Sequence, residues 1–165
     1  MRPAPVTVDW HPGPVRIEPD DLTSAEVVAF LEAHVAQLRS LSPPESSHAL
    51  DLAGLRAPGV SFWTAYDGDE LVGCVALKRL DATHAEMKSM RTAPHRVGGG
   101  IGSRLVEHVL EQAWVAGHGR VSLETGSEEF FAPARRLYAR HGFVECPPFG
   151  DYRPDPLSTF MTREV

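Results

Sequence analysis

Apolar and polar positions change period several times along the chain, and each change marks an element. Val15-Arg16-Ile17 alternates with the two-residue period of a strand that buries one face. Val27, Phe30, Leu31, Val35, Leu38 and Leu41 then recur three or four apart and predict a helix. Thr23-Ser24-Ala25-Glu26 has the form of a capping box at its start, and Pro43-Pro44 ends it. His48 to Leu55 reads as a second, short helix closed by Pro58-Gly59. Val60–Tyr66 and Leu71–Leu77 are strand-like runs joined by Asp67-Gly68-Asp69-Glu70, a hairpin turn, and Ala85–Thr92 is a more polar strand. Leu105, Val106, Val109, Leu110, Ala113 and Trp114 form the stripe of a long helix closed by Gly117 and Gly119. Val121–Thr125 is a strand. Pro133 suits the first turn of a last helix, which carries Ala134, Leu137 and Tyr138 and stops at Gly142. Phe143–Cys146 and Thr159–Thr162 are short final strands. The order β-α-α-β-β-β-α-β-α-β-β puts an antiparallel meander before a strand-helix-strand unit, which predicts a mixed sheet in an α+β fold.

Residues 1–14 hold Pro3, Pro5, Pro12 and Pro14 with little periodicity and read as a loose N-terminal arm, with a short strand at Val6–Trp10. Residues 15–165 then form a single domain, as the 165-residue length suggests. A 42% hydrophobic content supplies a core. The net charge of -6, with no Lys/Arg tract, argues against nucleic acid as a partner and tolerates an amine. No apolar run approaches membrane-spanning length and no secretory leader is visible, so no membrane partner is expected. Cys74 and Cys146 lack metal-ligand spacing and read as two thiols of a reducing cytoplasm, with no metal called for.

One stretch carries chemistry. Arg96-Val97-Gly98-Gly99-Gly100-Ile101-Gly102-Ser103 opens the long helix. Without side chains, such a loop lets an anion reach backbone N–H groups. The first N–H groups of the helix lack internal partners and sit at the positive end of its dipole. Together they predict a cradle for phosphate or pyrophosphate. A dinucleotide fold would need a third glycine where Ser103 stands, and a Walker-type loop would need Gly-Lys-Ser/Thr.

Glu86-Met87-Lys88-Ser89-Met90-Arg91-Thr92, the glycine loop, Leu123-Glu124-Thr125-Gly126 and Ala134-Arg135-Arg136-Leu137-Tyr138-Ala139-Arg140-His141-Gly142-Phe143 stand in this order. Together they resemble the GNAT superfamily of acyl-CoA-dependent N-acyltransferases, over roughly residues 15 to 165. Pro43-Pro44-Glu45-Ser46, Gly150-Asp151-Tyr152 and Phe160-Met161-Thr162 are similar to a YsnE-like bacterial branch of that family. The resemblance implies a largely antiparallel mixed sheet flanked by helices on both faces. It also implies acetyl-CoA as co-substrate, no metal, and transfer of an acetyl group to a primary amine of a small molecule or protein. Cytoplasmic location and a homodimer through a sheet edge or the C-terminal strand follow by analogy. An acyl-CoA-binding sensor on the same fold and transfer to a hydroxyl are the alternatives.

The family pattern Gln/Arg-x-x-Gly-x-Gly/Ala matches here at Gly100 and Gly102. Val97 holds the usual Gln/Arg position, with Arg96 one residue earlier as a second source of charge. By resemblance, the backbone of Gly98, Gly99, Gly100, Ile101, Gly102 and Ser103 grips pyrophosphate. Met90, Arg91 and Thr92, on a strand splayed from its neighbour, pair with the pantetheine amides. Phe131 stands near the position where family members carry a cofactor-facing Asn. Tyr138 is the candidate acid that returns a proton to the leaving thiolate. Glu86 is the first candidate for the base that deprotonates the amine, with an ion pair to Lys88 as its structural alternative. Glu124 and His84 are further candidates. Ser46, His48, Glu124, Asp151 and Tyr152 are expected to line the acceptor pocket.

Overall fold

The computed structural model describes residues 15–41 and 52–165. Its strands are β1 (Arg16–Pro19), β2 (Val60–Asp67), β3 (Glu70–Arg79), β4 (His84–Thr92), β5 (Arg120–Gly126), β6 (Val144–Glu145) and β7 (Ser158–Glu164). Its helices are α1 (Ala25–Leu41), α2 (Leu52–Leu55), α3 (Ile101–Val115) and α4 (Ala132–Arg140). The expected element order is present. The arm over residues 1–14, and residues 48–51 of the expected second helix, lie outside the described residues.

The strands form one sheet in the order β1-β2-β3-β4-β5-β7-β6. The β4–β5 pair is parallel and the other pairs are antiparallel, so the sheet is mixed and largely antiparallel. The parallel pair follows from the crossover through α3, which returns the chain to the same end of the sheet.

Helices cover both faces. On one face Leu105, Val106, Val109 and Ala113 of α3 and Tyr138 of α4 pack on Val72, Val75, Ala85, Met87, Val121 and Leu123. Gly73 of β3 lets α3 come close, because a Cβ there would stand 3.0 Å from Leu105 Cδ1 and 3.2 Å from Ile101 Cγ2. On the other face Val27 and Leu31 of α1 and Leu55 of α2 pack on Phe62, Leu71, Cys74 and Ala76.

Two expectations are corrected. Ser24, not Thr23, caps α1: its Oγ accepts the Val27 N–H at 3.2 Å, while the Thr23 hydroxyl donates to Asp21 at 2.6 Å. Trp114 is 69% exposed instead of joining the α3 stripe. It lies nine residues after Leu105, about half a turn away around the helix at roughly 100° per residue.

Candidate active site

The sheet opens between β4 and β5. The strands pair at His84↔Arg120, Ala85↔Val121 and Glu86↔Ser122, and the ladder stops there. Beyond that point β4 stays paired with β3 and β5 with β7, so the two inner edges diverge around a gap. Backbone groups along those edges are left for another extended chain to pair with.

A bulge shapes the β4 edge. Cys74 pairs with Arg91 and Ala76 with Lys88, so three steps on β4 span two on β3. Ser89 absorbs the extra residue with φ 51, the left-handed region uncommon for a side-chain-bearing residue. Residues directly opposite in a ladder share a face. Glu86, Lys88 and Arg91, opposite Lys78, Ala76 and Cys74, therefore all lie on the α1/α2 face. Met90 and Thr92 lie on the α3 face, beside Gly102.

The glycine loop follows a 3₁₀ turn at Pro94–Arg96. Gly98 and Gly100 take φ of 89 and 85, and a Cβ at either would meet nothing within 4 Å. Glycine is needed there for the backbone turn, and the space over it is open. Gly100 is the N-cap of α3, and the N–H groups of Gly98, Gly100, Ile101, Gly102 and Ser103 make no hydrogen bond among the described residues. These features fit a pyrophosphate, and hence the cofactor the resemblance implies. The expected cradle residues differ among themselves. The Gly99 N–H is already bonded to the Arg96 carbonyl at 3.4 Å. Gly102 is also a packing glycine, since a Cβ would stand 2.9 Å from Leu137 Cδ2. Val97 is 68% exposed. The Arg96 guanidinium is bound to Asp67 at 2.5 Å and Glu70 at 3.1 Å, which ties the loop to the β2–β3 turn.

The α1/α2 face carries the polar groups. Glu86 is buried, and its Oε2 accepts from the Tyr152 hydroxyl at 2.6 Å and the Lys88 ammonium at 3.0 Å. Lys88 also donates to the Tyr152 oxygen at 2.8 Å. Burial and the Glu86 carboxylate push the Tyr152 hydroxyl far above its usual range, so it stays a donor. These three residues, with Asp151, Arg153 and Asp155, line a cleft of about 760 Å³.

Glu124, on β5 just past the split, has its carboxyl pushed up to about 7. Burial is the main cause, and the Glu86 and Asp155 carboxylates add to it, against the Ser158 hydroxyl and the Lys88 ammonium. Of the two opposing groups the Ser158 hydroxyl pulls harder, although it makes no hydrogen bond of regular geometry among the described residues. Tyr138 is 7% exposed, packed edge-on to Phe143, and its hydroxyl has no hydrogen-bond partner among the described residues. Burial and the nearby Glu124 push it up to about 12.

Phe131 closes the open end of β5, where a Cβ on Gly126 would fall 2.0 Å from its ring. His84 is removed from the gap: it sits at the paired end, where its Nε2 bonds the Ser122 hydroxyl at 2.6 Å. Ser46 and His48 lie outside the described residues. Lys88, read from the sequence only as an ion-pair partner, emerges as a member of the site. Its two-residue spacing from Glu86 was the signal, because that spacing keeps both on one face of a strand.

The acetyltransferase (GNAT) family model matches residues 27–143. The uncharacterized N-acetyltransferase YsnE of Bacillus subtilis (strain 168) is 48% identical over 151 residues, covering 92% of this chain and all of the relative. The candidate acyl-CoA N-acyltransferase of Klebsiella pneumoniae subsp. pneumoniae superposes with a TM-score of 0.77 at 28% identity, covering 91% of this chain and 97% of that one. The N-acetylglutamate synthase of Neisseria gonorrhoeae, solved with coenzyme A and N-acetyl-glutamate, shares the fold at a TM-score of 0.70 and 19% identity, covering 92% of this chain and 35% of that one. With a split sheet, a glycine-capped helix at its mouth and a family match over most of its length, the chain belongs to the acetyltransferase (GNAT) family of acyl-CoA-dependent N-acyltransferases.

Proposed function

We propose that this N-acetyltransferase moves an acetyl group from acetyl-CoA directly to a primary amine, with Glu124 as base and Tyr138 as acid on opposite faces of the split. Acetyl-CoA, when bound, supplies the thioester and a thiolate leaving group. Gly98, Gly100, Ile101, Gly102 and Ser103 would hold its pyrophosphate through backbone N–H groups. The inner edge of β4 at Met90, Arg91 and Thr92 would align its pantetheine arm, and a backbone N–H past the Ser89 bulge would polarise the carbonyl.

The observation that carries this reading is the pairing of environments across the gap. Val121 and Leu123 of β5 face α3 and α4, so Ser122 and Glu124, which alternate with them, face the acceptor cleft. Tyr138 stands on the α4 side. An amine enters past Glu124 while the thiolate departs toward Tyr138. An alkyl ammonium titrates near about 10 and must lose a proton before attack. A carboxylate poised near 7 is a stronger base than an ordinary Glu and is still half ionised at neutral pH. Tyr138, pushed to about 12, arrives protonated. This reading moves the base from Glu86, whose Oε2 is occupied by Lys88 and Tyr152, to Glu124. Glu86 then holds Lys88 and Tyr152 in place as the cleft wall. Much of the acceleration comes from holding amine and carbonyl together. We place the reaction in the cytoplasm, since both cysteines are free thiols.

The test is a pH profile of free-thiol release. The base works when ionised, so kcat/KM rises with pH through about 7 and then levels. Glu124→Gln should lower kcat/KM by about 10²-fold and remove the rising limb. A limb that survives in this variant would return the role to another group.

A further inference from the structure

Arg91 is a buried charge without a counter-charge among the described residues. The residue is 9% exposed, and its guanidinium lies between β4 and α1, 5.1 Å from the centroid of the Phe30 ring. Its Nε and Nη1 are buried and have no hydrogen-bond partner among the described residues. The groups that act electrostatically with it are the Cys74 thiol and the His34 imidazole, and neither is a carboxylate. Other arginines differ. Arg96 holds Asp67 and Glu70, Arg120 holds Thr162 and Glu164, and Arg135 holds the carbonyls of Gly126 and Glu128. A cation held out of water with nothing to pair is costly, and a fold that keeps one in a binding face keeps it for an anion that arrives.

We propose that Arg91 binds a carboxylate of the acceptor, so that the substrate class is an amine that also bears a carboxylate. The inference rests on the reading that the acceptor occupies the α1/α2 face. The Ser89 bulge is what puts Arg91 there. Three residues after Lys88, it would fall on the opposite face of a regular strand, and the extra residue restores it to the side of Glu86 and Lys88. Three strand steps cover no more than about 10 Å, so one small molecule reaches both Arg91 and the cleft beside Lys88. The planar guanidinium fork matches a carboxylate bidentately, and Phe30 fixes its plane. His34, held neutral beside it, offers one further ring nitrogen. The cofactor's phosphates are a poor match, because the glycine loop leads into α3 on the other face, where Met90 and Thr92 point.

The experiment compares α- and ω-amino carboxylic acids with their carboxamides in the free-thiol assay, at saturating acetyl-CoA. The wild-type protein should prefer the acid by at least about tenfold in kcat/KM, and Arg91→Gln should bring that ratio to about one. Arg91→Lys keeps the charge, loses the fork and should lower the ratio by about threefold; it serves if the Gln variant does not fold. Taking the change in ratio cancels the different basicities of the two amines. Calorimetry follows CoA affinity, which the main chain of Arg91 serves and its guanidinium does not, so it should stay within about twofold. It also follows binding of N-acetyl amino acids and their amides to the CoA-saturated protein. No acid preference in the wild type, or one that survives in Arg91→Gln, overturns the inference while leaving acetyl transfer intact. So does a loss of CoA affinity in Arg91→Gln with an unchanged ratio, which would assign the guanidinium to the cofactor. Thiol release with no amine at all would overturn the transferase reading instead. In that case Arg91-dependent binding of the N-acetyl amino acid over its amide would still support a carboxylate site, and its absence would overturn that as well.

Discussion

The α3/α4 face of the sheet packs Leu105, Val106, Val109, Val121 and Leu123 into a dry apolar layer, with bare backbone at the helix N-terminus beside it. The α1/α2 face begins the same way around Val27, Leu31 and Leu55, but along β4 it turns into charged and hydroxyl side chains: Glu86, Lys88, Arg91 and, from the last loop, Tyr152. On the proposed reading, the cofactor side thus relies on backbone geometry held by packing, and the acceptor side on side-chain chemistry held by hydrogen bonds. A shared co-substrate asks for the first, since its phosphates and amides are the same in every turnover. A particular acceptor asks for the second. The difference predicts that changes on one side should separate cleanly from changes on the other.

Removing the acid across the split gives the largest expected effect. Tyr138→Phe should lower kcat by about 10²- to 10⁴-fold while CoA binding by calorimetry stays nearly intact. Wild-type turnover in that variant would remove Tyr138 from the mechanism. The two apolar layers come next. Leu105→Ala, at a fully buried position of the α3 layer, should cost about 3–5 kcal/mol in denaturant unfolding, and Leu31→Ala, on a helix whose outer positions are mostly exposed, about 2–3. Equal losses would mean that the acceptor face is as tightly packed as the other. The smallest effect is at the loop. Gly99 does not take a positive φ and its Cβ would meet only the Arg96 carbonyl at 3.4 Å, so Gly99→Glu should fold. Its negative charge beside the cradle should weaken CoA by about tenfold in calorimetry, with acceptor preference unchanged. Unchanged CoA affinity would count against the cradle.

Much of the structure on the α3/α4 side was legible in the sequence, because its determinants are local. Only glycine takes the φ values of Gly98 and Gly100 at no cost, and the α3 stripe writes its period into Leu105, Val106, Val109 and Ala113. Trp114 misled because it is apolar and close to the stripe in number but not in angle. The polar cluster on the α1/α2 side was legible only in part. Glu86 and Tyr152 were named, but their union through Lys88 needs a loop and a strand 66 positions apart. The facing of Arg91 was hidden altogether. It depends on one residue out of register at Ser89, and nothing in Lys88-Ser89-Met90-Arg91 announces a bulge. The elevated Glu124 carboxyl was equally invisible, since burial by distant elements produces it.

The tie between Arg96 and the carboxylates of Asp67 and Glu70 has a consequence for how the enzyme meets its medium. The proposed grip on the diphosphate is made of neutral amides, yet its mooring to the hairpin is ionic. Added electrolyte should therefore loosen cofactor capture at second hand, by slackening the mooring as well as by shielding the ligand's own charge.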